Sequence, residues 1–244
     1  MALFSRRRKR AAEPEPEAAP TAAPSPEVPA RDRGPWDEQE VTEPGTRVDL
    51  GALWIPGRPG LKVRLEMEKR TQQIVAASVS AAGSALQLQA FAAPRSGGLW
   101  DELRPEIAAS VEKQGGTADE VDGPFGREIL ARLPVTTQDG RMGHRPARFI
   151  GVDGPRWFLR GVMSGKAAID PDAAADLEEL FADVVVIRGE EARPPRDVLP
   201  LRVPARKDEE AAEEGEGSAD LDPLTRGPEI TINKFLHNRD SVEQ

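Results

Sequence analysis

Residues Ala147 to Gly165 read ARFIGVDGPRWFLRGVMSG, and this stretch decides the fold. Two apolar runs with branched and aromatic residues flank Asp153-Gly154-Pro155, which is the composition of a β-hairpin around its turn. Neighbours along a strand point to opposite faces, so Phe149 beside Ile150 and Trp157 beside Phe158 demand cover on both sides. The hairpin therefore belongs near the middle of a sheet. Asp153-Gly154 offers positive-φ positions and Pro155 removes a donor, which leaves the register open. Arg148, Arg156 and Arg160 interleave with the aromatics. Their stems suit an apolar surface and their heads suit either water or an anion.

Working outward, VDLGALWIP sets Val48, Leu50, Ala52 and Trp54 on one face, and LKVRLEM does the same with Leu61, Val63, Leu65 and Met67. Both read as half-buried strands joined by a turn over Pro56 to Gly60. IVAASVS and ALQLQAFAA form a second hairpin around Gly83-Ser84, with Gln87 and Gln89 on its polar side. The period then changes, as Leu99, Leu103, Ile107 and Val111 recur every four residues and predict an amphipathic helix. Pro105 must lie near its first turn or kink it, and Gly115-Gly116 ends it.

VDGPFGREILARLPV returns to strand character before a loop over Thr137 to Pro146. Asp170-Pro171-Asp172 begins a second helix, with a capping acceptor, a proline at the first position and an acidic first turn. Leu177, Leu180, Phe181 and Val184 line its buried face, and Val184 to Ile187 either ends the helix or forms a short strand. Paired strands, helix, paired strands, helix is an α+β order. The expected architecture is an antiparallel β-sheet with two main helices packed on one face, an α/β sandwich.

Of the 244 residues, 23 are proline and 31% are charged, much of this near the two ends. The expected division is a disordered tail over 1–46, basic and then Pro/Ala/Glu-rich, a single domain over 47–204, and an acidic disordered tail over 205–244 with a short apolar end. Trp36 is suited to dock on the domain, and PPRDVLPLRVP to strap across it. A net charge of -9 disfavours specific nucleic-acid binding. Arg6 to Arg10 are suited to a weak contact with an anionic surface. The chain has no cysteine, which excludes disulfides and thiolate chemistry. No apolar run approaches membrane-span length and none follows the basic start, so a cytoplasmic location is expected.

Chemistry is sparsely offered. His144 and His237 are the two histidines, which leaves little for a Ser-His-Asp system or a histidine metal cluster. Gly161 to Lys166 imitates a phosphate loop but is one residue short and carries Ala167 where a hydroxyl belongs. Asp101-Glu102 and Glu178-Glu179 are adjacent on helices and so diverge. Asp122 and Asp153 are assigned to their turns. No catalytic, metal or cofactor-binding residue is assigned, and no cofactor is expected. Two candidate sites remain. One is an anion site of Arg127, Arg148, Arg156 and Arg160 near the Gly97-Gly98 helix start, and the other is a partner-docking peptide carrying Ile232, Phe235 and Leu236.

The segments AAPRSGGLW (Ala92 to Trp100), DGPFGREI (Asp122 to Ile129) and FIGVDGPRWFLRGV (Phe149 to Val162) resemble an actinobacterial domain family of unknown function, numbered 3710. The likeness covers about residues 48 to 203 and implies a cytoplasmic actinobacterial protein, but carries over no catalytic or ligand residue. The expected function is a non-enzymatic binding or scaffold module for a protein partner. The alternative is a receptor or enzyme for a small anion, using the arginine-lined pocket.

Overall fold

The computed structural model describes residues 33–136, 139–204 and 225–231. The elements in chain order are β1 (Trp36–Asp37), β2 (Arg47–Asp49), β3 (Leu53–Pro56), β4 (Lys62–Met67), β5 (Ile74–Ala81) and β6 (Ser84–Ala92). There follow α1 (Leu99–Lys113), β7 (Thr117–Gly123), β8 (Gly126–Thr136), β9 (Met142–Gly154), β10 (Trp157–Gly165), α2 (Pro171–Ala182), β11 (Val185–Val186) and β12 (Thr225–Thr231). They build a four-stranded sheet, β1-β11-β3-β2, and an eight-stranded sheet, β12-β4-β5-β6-β10-β9-β8-β7. The hairpin β9/β10 is central, as its two-sided apolar pattern requires.

The alternating pattern of β10 shows what covers each face. Trp157, Leu159 and Met163 belong to one buried cluster, together with Leu86 and Leu88 of β6, Leu53 and Ile55 of β3, Val186 of β11, and Leu177, Leu180 and Phe181 of α2. Phe158 points the other way, into a cluster with Leu99, Trp100 and Val111 of α1 and Ile129 of β8. The expected α/β sandwich with both helices on one face is therefore wrong. The fold is mostly β, with the small sheet and α2 on the first face of the large sheet and α1 on the second. The apolar stripe of a helix says that it packs, but its direction of crossing is set by the connection, which periodicity does not record.

Local chemistry accounts for the turns. Gly154 pairs with Trp157, so Pro155-Arg156 are the two central residues of the turn. Pro155 fixes the first, and Arg156 takes the positive φ of 63° at the second. Asp153 and Gly154 lie in β9. Gly154 is needed for space, since a Cβ there would stand 2.1 Å from ring atoms of Trp157. The related turn Pro124-Phe125 joins β7 to β8, with Gly123 opposite Gly126. In α2 the Asp170 side chain accepts from Asp172 N, as its sequence predicts. In α1, Pro105 stands beyond the first turn, which leaves the Asp101 carbonyl without its helical donor.

The folded region begins before the expected boundary at 47. Strand β1 runs parallel to β11, pairing Trp36 with Val185. Trp157 Nε1 donates to Asp37 Oδ2 at 2.6 Å within the core. On the other side the segment from Arg196 to Arg202 is a strap: Leu199 N donates to Ala90 O and Leu201 N to Ile74 O, and both leucines are buried. The tail expected to be disordered over 205–244 contributes β12. The basic stretch Arg6 to Arg10 and the docking residues Ile232, Phe235 and Leu236 lie outside the described residues.

Candidate functional site

The four arginines of the expected anion pocket are held apart. Arg148 faces the first side of the large sheet, where its Nε donates to Glu128 Oε2 at 2.5 Å and its NH1 meets Glu178 Oε1 of α2 at 2.7 Å. Burial opposes its charge, but the hydrogen bonds and charges of Glu128 and Glu178 outweigh it and hold the pKa above the usual arginine value. With two carboxylates on one guanidinium, this network leaves an anion nothing to bind. Glu128 is fully buried beneath Gly123, where a Cβ would collide with the carboxyl group. Arg127 is exposed on β8 and pairs with Asp122 at 3.2 Å. Arg156 is in the hairpin turn, its carbonyl accepting from Ala93 N and Arg188 Nε.

The helix start next to these arginines is also occupied. Gly97 and Gly98 have φ of 66° and 80°, which swing the chain into α1. The first two amides of the helix, on Leu99 and Trp100, donate to Asp153 Oδ1 and Oδ2 at 3.0 and 3.1 Å. Asp153 is thus a cap delivered from the central hairpin, in addition to its place beside the turn. Trp100 Nε1 donates to Arg127 O at 2.7 Å, which fixes the helix over β8. An interaction 54 residues away leaves no local spacing by which to find it.

Arg160 lies on the second face, beyond the reach of this cap. Its NH2 donates to Gln89 Oε1, and its guanidinium stacks 5.3 Å from the centre of the Phe91 ring. Burial lowers its pKa. Around it the second face changes character. Where α1 covers β7, β8 and β9 the sheet is apolar, while toward β4 it presents Gln87, Gln89, Ser78, Ser80, Glu66, Arg64 and Lys62, none of them fully buried. Gln87 Nε2 donates to Glu66 Oε2 at 2.5 Å, tying β6 to β4 across this surface.

The polar half ends at an unusual edge. Strand β4 pairs with β5 on one side, and on the other with β12, a segment from the far end of the chain. The β12/β4 pairing is antiparallel, running from Thr225 opposite Met67 to Thr231 opposite Lys62, with an irregularity between Arg226 and Glu229. Gly227-Pro228 occupies that irregularity, where the missing proline donor is tolerated. The opposite edge, β7, instead carries exposed Asp119, Glu120 and Asp122. Charge of this kind is a common way to discourage strand pairing. Sequence reading missed the β4 edge because β12 follows a long acidic interval and its alternation is broken by Gly227-Pro228.

Among the described residues, no group of three His, Asp or Glu side chains could hold a metal ion. His144 is exposed on β9, opposite Pro134. No helix among the described residues is long and apolar enough to cross a membrane. A family model described as a protein of unknown function (DUF3710) matches residues 34–210. The chain belongs to this family. The match starts at Gly34, in keeping with the inclusion of β1 in the fold. Searches of curated proteins and of solved structures find no match.

Proposed function

We propose that this DUF3710 member is a non-enzymatic, cytoplasmic binding module that captures an extended segment of a partner protein along the β4 edge. The observation that supports this reading is the β12/β4 pairing itself. A strand far along the sequence pairs with this edge at both ends of its length, from Thr225 opposite Met67 to Thr231 opposite Lys62. Strand addition of this kind draws its affinity from main-chain hydrogen bonds and its selectivity from alternate side chains. The chain's own β12 then acts as an exchangeable cover, and Ile232, Phe235 and Leu236, which follow it in sequence, supply apolar anchors once it leaves.

The test uses the full chain with a photo-crosslinking residue in place of Lys62. Every second residue of an antiparallel strand donates to its neighbour, so the change Glu229→Pro with Ile230→Pro removes a donor whichever of the two it is. The double variant should exchange the amides of β4 faster, and in native lysate it should crosslink through residue 62 to an extended segment of a second protein. If the uncovered edge crosslinks only within its own chain, the binding reading is abandoned.

A further inference from the structure

Away from the β4 edge, the turn of the central hairpin meets the segment that leaves β11, and a buried cation stands where they touch. Arg188 is 8% exposed. A buried charge is ordinarily joined to one of opposite sign, as Arg148 is joined to Glu128 and Glu178. Arg188 instead donates to two backbone carbonyls, from Nε to Arg156 O at 3.1 Å and from NH1 to Glu191 O at 3.0 Å. Those bonds fix the plane of its guanidinium and leave NH2 uncommitted. The charged groups that act on it are Arg156, Arg193 and Glu191. Burial lowers its pKa, the charges of Arg156 and Arg193 lower it further, and Glu191 opposes them. Glu191 is itself paired with Arg193, at 2.6 Å. Three arginines with one carboxylate leave an excess of two positive charges at this point, in a chain whose net charge is -9.

We propose that Arg156, Arg188 and Arg193 bind the phosphate group of a small, soluble phosphate monoester. Such a group is close to a dianion at neutral pH and presents three strong acceptor oxygens. Its charge matches the local excess, and its oxygens can be met from more than one side. Guanidinium groups suit it because their planar forks form charge-assisted hydrogen bonds to phosphate. The frame is set before a ligand arrives. Pro155 precedes Arg156, which takes a φ of 63°, and the Arg156 carbonyl is held by Ala93 N as well as by Arg188 Nε. A frame of this kind lowers the ordering cost of binding. Of the four arginines whose interleaving with aromatics suggests a pocket, Arg156 alone takes part. Its companions come from a segment 32 residues further on, where no spacing links them to it.

The probe is glycerol 3-phosphate, titrated calorimetrically into the full chain, with dimethyl phosphate, a monoanion, as the comparison. Arg156→Asn removes one guanidinium and installs a residue that accepts a positive φ, so the turn should form as in the parent. Arg193→Ala is a second variant, in a partly exposed position, and leaves Glu191 without its cation. Lys113→Ala makes the same change in net charge at the exposed end of α1. The parent should bind glycerol 3-phosphate at least several-fold more tightly than dimethyl phosphate. Arg156→Asn should lose about tenfold in affinity and Arg193→Ala at least as much, while Lys113→Ala stays within about twofold. Failure of the parent to bind, equal affinity for the two anions, or equal losses in the control and the two site variants would overturn the assignment. Phosphatidic acid carries the same monoester on a lipid. Capture of the chain by phosphatidylcholine vesicles containing phosphatidic acid, lost in Arg156→Asn and without any binding of glycerol 3-phosphate, would also overturn it in favour of a membrane headgroup.

Discussion

The two faces of the large sheet are finished differently. The first is closed by the small sheet and α2, and the charged groups within it are partnered: Glu128 and Arg148 with each other and with Glu178, and Asp37 with the Trp157 indole. The second is closed by α1 over β7 to β9 and is polar toward β4, where β12 covers the edge. A face that buries large side chains from three layers specifies the fold. A face with glutamine, serine and paired charges can be altered without undoing it. The division therefore separates the part of the molecule that holds its shape from the part free to meet other molecules.

The contrast can be broken from the first face. Trp157→Ala removes a fully buried ring and leaves Asp37 without its indole donor. It should cost about 3 to 5 kcal/mol in chemical denaturation. A loss below about 1 kcal/mol would show that the first face is not the organising core. Glu128→Ala leaves Arg148 buried with Glu178 alone and should cost about 3 kcal/mol or more. The pair Glu128→Leu with Arg148→Leu should recover much of that loss, since no uncompensated charge remains beside α2. A double variant worse than the single one would mean that the ion pair itself, and not the cost of stranding one member, sustains this region.

On the second face the effects should be smaller. Asp153→Ala removes the carboxylate that receives the first two amides of α1 and should cost about 1 to 2 kcal/mol. Hydrogen exchange should quicken first at Leu99 and Trp100; a uniform change across the sheet would instead point to the turn. Least affected should be Arg160→Met, which removes a desolvated cation while keeping an apolar stem over Phe91. It should alter stability by no more than about 0.5 kcal/mol in either direction. A loss above about 2 kcal/mol would place Arg160 in the structural half of the molecule and erase the distinction at that position.

Much of this contrast is written in the sequence. Leu86, Gln87, Leu88 and Gln89 alternate because one side of β6 meets the core and the other does not, whereas Trp157, Phe158 and Leu159 admit no polar side. Both strands could be placed by those patterns alone. The side taken by each helix could not, because the stripes of α1 and α2 look alike whichever face they cover. Strands β1 and β11 are two residues long, too short for any period to register. The arginines show the same limit for sites. Their interleaving suggested convergence, but alternation sent Arg148 and Arg160 to opposite faces, while Glu128 took up the Arg148 guanidinium and Asp153 the first amides of α1. No local signal announced either acid, since each acts on elements remote in sequence.

The closure of β1 against β11 sets an order of events on the ribosome. Trp36 and Asp37 are made early, but Val185 and Val186, their strand partners, emerge nearly 150 residues later, and the indole that binds Asp37 is 120 positions downstream. The nascent chain must therefore hold an unpaired tryptophan until almost the whole sheet has been synthesised. Long-range closures of this kind slow folding and prolong the exposure of open strand edges. The β4/β5/β6 meander, made of local pairings, is available much sooner, so assembly should begin at the half of the sheet that stays polar and end at the seam that joins the two sheets.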